Sequence, residues 1–92
     1  MKWRAITDPK PLRRSWSGES VVFSPISGET HFLNAFSDEV LAQLEAQPLT
    51  VDELVGRLRD LTPADQLDDL RANVTTLVHR FDDIGLIEPC RG

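Results

Sequence analysis

The chain is short of the residues that build covalent or metal-bound frameworks. Its single cysteine, Cys90, cannot form an intramolecular disulfide, so packing alone must hold the fold, as suits a reducing compartment. Two isolated histidines, His31 and His79, and that one thiol offer no ligand cluster at zinc spacing, so neither a metal nor another cofactor is expected. No stretch approaches the roughly 18 apolar residues of a membrane span. The segment from Met1 to Leu12 has no apolar run and is broken by Pro9 and Pro11, so no export signal is read there and a cytoplasmic location is the expectation. Interior space is scarce too. At 92 residues a folded chain hides only about 60–65% of the surface its unfolded form exposes, which allows one modest core and no enzyme cleft. No catalytic residue is expected.

What the chain has is charge, unevenly placed. Residues 1–35 carry five basic and three acidic side chains, a balance of +2, whereas residues 36–92 carry five basic and twelve acidic ones, a balance of −7. The acidic half is also where the helical patterns lie.

The hydrophobic period changes once, near Asn34. Before it come three short extended runs, Leu12–Trp16, Ser20–Ser24 and Thr30–Leu33, separated by Ser17-Gly18-Glu19 and by Pro25-Ile26-Ser27-Gly28-Glu29. Each break holds a glycine available for a positive φ, so the runs predict an antiparallel meander. After it, Asn34 caps a first helix with Phe36, Val40, Leu41 and Leu44 at helical spacing, and Pro48 stops the run. Thr50 with Glu53 predicts a capping box on a second helix, whose apolar stripe is Val51, Leu54, Val55, Leu58 and Leu61. A third helix, taken from Asp65 to Asp83, is marked by Leu67, Leu70, Val74, Leu77, Val78, Phe81 and Ile84, with Gly85 as the C′ residue.

These elements predict a single α+β domain over residues 1–92: an N-terminal arm (1–11), three antiparallel strands (12–33), three helices (35–84) and a short extended tail (85–92). The architecture is winged helix-turn-helix-like, a three-stranded antiparallel sheet followed by three helices. Fold alone does not name a function.

The run Phe23-Ser24-Pro25-Ile26-Ser27-Gly28-Glu29-Thr30-His31-Phe32-Leu33-Asn34, the Pro48-Leu49-Thr50-Val51-Asp52-Glu53-Leu54 segment and the helix ending Phe81-Asp82-Asp83-Ile84-Gly85-Leu86-Ile87 resemble the PqqD family of peptide chaperones. The likeness covers roughly Leu12 to Glu88 and is closest to the subgroup that accompanies a kinase related to HPr kinase. It implies the fold of the RiPP recognition elements, small domains in pathways that modify ribosomally made peptides, pyrroloquinoline quinone (PQQ) biosynthesis among them. There the leader segment of a precursor peptide is captured as an added strand and presented to a modifying enzyme, here a radical SAM enzyme or the HPr kinase-related kinase. Carried onto this sequence, the docking edge is Thr30, His31, Phe32 and Leu33, and the helix wall comes from Arg71, Val74, Thr75, Val78 and Asp82.

The residues are compatible with that implication. Thr30, His31 and Phe32 put neither proline nor an edge-blocking charge on the strand, so it is open to pairing with an extended peptide, and equally to homodimer formation. His31 reads either as a donor or acceptor in a peptide complex or as an exposed strand histidine without a role. Of Phe32 and Leu33 only one can face the helices; Leu33 is taken as core, which leaves Phe32 as contact surface or as cover for the N-terminal segment. Trp3 and Trp16 read as packing residues. Asp68-Asp69 and Asp82-Asp83 are solvated faces rather than catalytic pairs, since neighbours on a helix diverge by about 100°.

Two other classes remain. A winged-helix outline raises a DNA-binding regulator, but residues 65–83 hold two arginines against five aspartates, which phosphate would repel. Nucleic acid is therefore not the expected partner. A structural subunit of a kinase-containing complex, with no peptide ligand, is the other alternative.

Overall fold

The computed structural model describes residues 1–17 and 19–90. Strands β1 (Lys2–Ala5), β2 (Leu12–Trp16), β3 (Glu19–Ser24) and β4 (Glu29–Leu33) precede helices α1 (Ala35–Ala46), α2 (Val51–Leu58) and α3 (Leu67–Asp83), and β5 (Ile87–Cys90) ends the chain's described part. The α+β, winged-helix-like arrangement is as expected: β2, β3 and β4 form an antiparallel sheet in that order, followed by the three helices. The turn glycine expected at Gly18 lies outside the described residues.

In addition, the N-terminal arm and the extended tail pair antiparallel as a second, two-stranded sheet, with Trp3 opposite Pro89 and Ala5 opposite Ile87. Trp3 also exchanges backbone hydrogen bonds with Leu49, at 2.8 and 2.9 Å. Strands of four residues joined across most of the chain leave too short an alternation to be read locally.

Local chemistry sets the helix ends. The Asn34 carboxamide oxygen accepts from Ser37 N–H at 2.8 Å and starts α1. Thr50 and Glu53 form the expected capping box, each side chain accepting the other's backbone N–H at 3.0 Å. At the end of α3, Leu86 N–H reaches the Phe81 carbonyl and Gly85 N–H that of Asp82, a Schellman closure that needs the φ of +79° at Gly85.

Between α2 and α3 the chain departs from the expected pattern. Leu61 belongs to a 3₁₀ turn (Arg59–Leu61) and stands 67% exposed rather than continuing the α2 stripe. Thr62 is forced extended by the proline that follows, and its hydroxyl donates to the Leu58 carbonyl at 2.7 Å. Residues Ala64–Gln66 form a second 3₁₀ turn, so α3 proper begins at Leu67 instead of Asp65.

The core sits between the three-stranded sheet and the helices. Val22 and Leu33 from the sheet meet Val40, Leu41 and Leu44 of α1, Leu54 and Leu58 of α2, and Leu70, Val74, Val78 and Phe81 of α3. Arg13 of β2 fastens sheet to helix by pairing with Asp38 at 2.7 Å and with Glu45, both on α1. The Ser20 hydroxyl donates to the same Asp38 carboxylate at 2.8 Å. Buried Ser20 is thereby satisfied.

Candidate functional site

Alternation along β4 divides the expected edge residues between two faces. His31 and Leu33 point to the helices, cross-strand from buried Val22 and Ser20, while Thr30 and Phe32 point to the opposite face. Leu33 is core, at 4% exposure, and Phe32 is 75% exposed opposite Val21, with Phe23, Leu12 and Trp16 on the same outer face. Trp16 is thus a surface residue, whereas Trp3 packs on the core and lies 6.5 Å, ring to ring, from exposed His79. Both outer strands of the sheet, β2 and β4, keep one side unpaired.

His31 is not an exposed strand histidine. Its side chain is only 12% exposed, its Nε2 is buried without a hydrogen-bond partner, and the nearest acid, Glu29 Oε2, stands 3.8 Å away. The ring lies under its strand, flanked on the same row by Val22 and Arg13.

An open groove of about 690 Å³ begins where β4 runs into α1. Asn34, Phe36 and Glu39 form one wall, Leu61 and Pro63 the lip, and Asn73, Thr76, Leu77 and Arg80 of α3 the other wall. The floor is apolar, from Leu58 and Leu70.

None of the α3 residues assigned from sequence lines this groove. Val74 and Val78 are fully buried and have no surface to offer. Arg71, Thr75 and Asp82 lie on roughly the opposite side of α3 from Asn73, Leu77 and Arg80, as 3.6 residues per turn requires. Arg71 is committed there to Asp52 of α2. Periodicity located the buried stripe but not which flank of it lines the groove. The available signal was Leu77, a member of the apolar stripe at its edge, which stays half-buried.

The groove's charges are few. Glu39 is engaged by Gln43, whose amide donates to it at 2.8 Å. Arg80 has no ion-pair partner among the described residues, while Arg71 and Arg13 do. No group of three or more His, Cys, Asp or Glu side chains that could hold a metal occurs among the described residues. Among the described residues no helix is long and apolar enough to cross a membrane.

The family described as Coenzyme PQQ synthesis protein D (PqqD) matches residues 19–87, from the first residue of β3 to the first of β5. The chain belongs to the PqqD family. No curated protein and no solved structure matches it. The matched span holds β4, α1, the connection between α2 and α3, and α3, so every wall of the groove lies within the part shared with the PqqD family.

Proposed function

We propose that this PqqD-family chain is a non-catalytic adaptor. It captures the leader segment of a ribosomally made precursor peptide, adds it as a strand along β4, and presents the attached core to a modifying enzyme. The observation that carries this reading is the groove, open and apolar-floored, which starts at the end of an edge strand. An added strand takes its affinity from main-chain hydrogen bonds and its specificity from alternate side chains entering such a groove.

Family membership supports a role beside a peptide-modifying enzyme, either a radical SAM enzyme or a kinase related to HPr kinase, in the compartment where the peptide is translated. The docking residues in this reading are the β4 backbone from Thr30 to Leu33 and, on α3, Asn73, Thr76, Leu77 and Arg80. The acid-rich α3 and the commitment of Arg71 to Asp52 weigh against a DNA regulator.

Chemical-shift mapping with the peptide encoded by a neighbouring short reading frame tests the proposal. Shifts are expected at Thr30–Leu33 and at Asn73, Thr76 and Leu77. Shifts confined to β1 and β5, or none at all, would sink it.

A further inference from the structure

The net charge of −5 suggests a basic partner, but the groove itself carries the opposite instruction. Two of its acceptors are already engaged. Glu39 holds the Gln43 amide, and the Asn34 carboxamide oxygen caps α1 through Ser37. Its cation is not. Of the two arginines on α3, Arg71 pairs with Asp52 on the far side of the helix, and Arg80 lines the groove with no ion-pair partner among the described residues. One turn before it, Leu77 supplies an apolar surface, and Leu61 stands across the opening.

Resting on the peptide-binding reading above, we infer that the groove selects a peptide with an aspartate or glutamate close to an apolar side chain, and that Arg80 pairs with that carboxylate. The apolar side chain packs among Phe36, Leu61 and Leu77. A guanidinium presents a rigid fork that meets a carboxylate through two parallel hydrogen bonds. The scattered carboxylates that give the chain its net charge act through solvent and are screened beyond about 8–10 Å at physiological salt. Contact pairing at Arg80 therefore outweighs the global charge in choosing the peptide, while the global charge still disfavours a strongly acidic one.

The test is selection of a displayed library of random twelve-residue peptides on the full chain, on Arg80→Glu and on Arg80→Lys. The wild-type chain is expected to enrich an acidic residue at fixed spacing from a leucine, isoleucine or phenylalanine. Arg80→Glu should replace that acid with lysine or arginine, and Arg80→Lys should keep it. The best acidic peptide, synthesised, should lose about ten- to a hundredfold in affinity on Arg80→Gln, as expected for a charged hydrogen-bonded pair, while its amide counterpart loses little. Enrichment of an apolar pattern with no acidic preference would overturn the pairing and leave peptide capture standing. Failure of the wild-type chain to enrich any peptide would overturn both.

Discussion

Gly85 lies so close to Ile26 that a Cβ built on it would stand 2.8 Å from the Ile26 Cβ and 3.2 Å from the Ser24 hydroxyl oxygen. The turn that follows α3 is thus pressed against the β3–β4 hairpin, and the same glycine holds a φ of +79°. Gly85→Ala must suffer both the left-handed backbone and the overlap, a cost of about 2–4 kcal/mol. Gly28 has a φ of +75° but nothing within 4 Å of an added Cβ, so Gly28→Ala should cost about 1–2 kcal/mol from backbone strain alone. Gly56, inside α2 with open space around it, should become a stabilising site on change to alanine, by about 0.5–1 kcal/mol. Urea midpoints of the three variants check this order. Equal losses for Gly85→Ala and Gly28→Ala would show that the contact with Ile26 is not the constraint.

The capping box of α2 makes part of the stability depend on acid. Glu53 accepts the Thr50 backbone N–H, which holds its carboxyl below the ordinary glutamate range, with smaller help from Lys2, the Thr50 hydroxyl and Arg57 and with desolvation opposing. A carboxyl depressed in the folded state stabilises fully above its unfolded pKa, about 4.3, and loses that contribution as pH falls through the lower folded value. Thr50→Ala should cost about 1 kcal/mol at neutral pH. Glu53→Gln should flatten the acid limb of a stability-against-pH curve below about pH 4.5 relative to wild type. An unchanged limb would mean that other carboxylates carry the acid response.

His31 separates two roles that its sequence position left open. Its Nε2 is buried with no partner, and such an atom carries a desolvation cost of about 1–3 kcal/mol that an apolar side chain of similar size does not. His31→Leu should therefore leave stability unchanged or raise it by about 1 kcal/mol. With the ring beneath the strand, peptide affinity should stay within about threefold of wild type. A larger loss in a fluorescence-anisotropy titration would show that the ring turns outward to bond the peptide.

Much of the fold was legible because its signals are local. Leu12–Trp16 is a strand with the bounds that its turn residues indicate, and the Asn34, Thr50 and Gly85 termini close through the hydrogen bonds their side chains or φ values permit. The β1–β5 sheet was not legible, because Arg4 and Glu88 meet across 84 positions and the alternation of Lys2-Trp3-Arg4-Ala5 is only four residues long. The groove was only half legible for a related reason. A helix stripe such as Leu70, Val74 and Phe81 identifies its buried centre, but the choice between Arg71 and Arg80 as groove residue depends on where α1 and the connection between α2 and α3 are placed.

That choice yields the most direct test of the site. Leu61 and Asn73 border the groove, and Leu61 is exposed enough that Leu61→Asp should fold normally. Putting a carboxylate on the apolar lip, or the long side chain of Asn73→Arg across the wall, should weaken leader-peptide binding by at least tenfold, the equivalent of about 1.4 kcal/mol. Arg71→Ala and Asp82→Ala, on the other side of α3, should bind within about twofold of wild type, although Arg71→Ala gives up a surface ion pair worth about 0.2–1 kcal/mol of stability. Isothermal titration with the four variants reads both sets at once. Loss of binding in the Arg71 and Asp82 variants, with Leu61→Asp and Asn73→Arg unaffected, would move the peptide to the face of α3 that adjoins α2 and restore the helix wall inferred from the sequence.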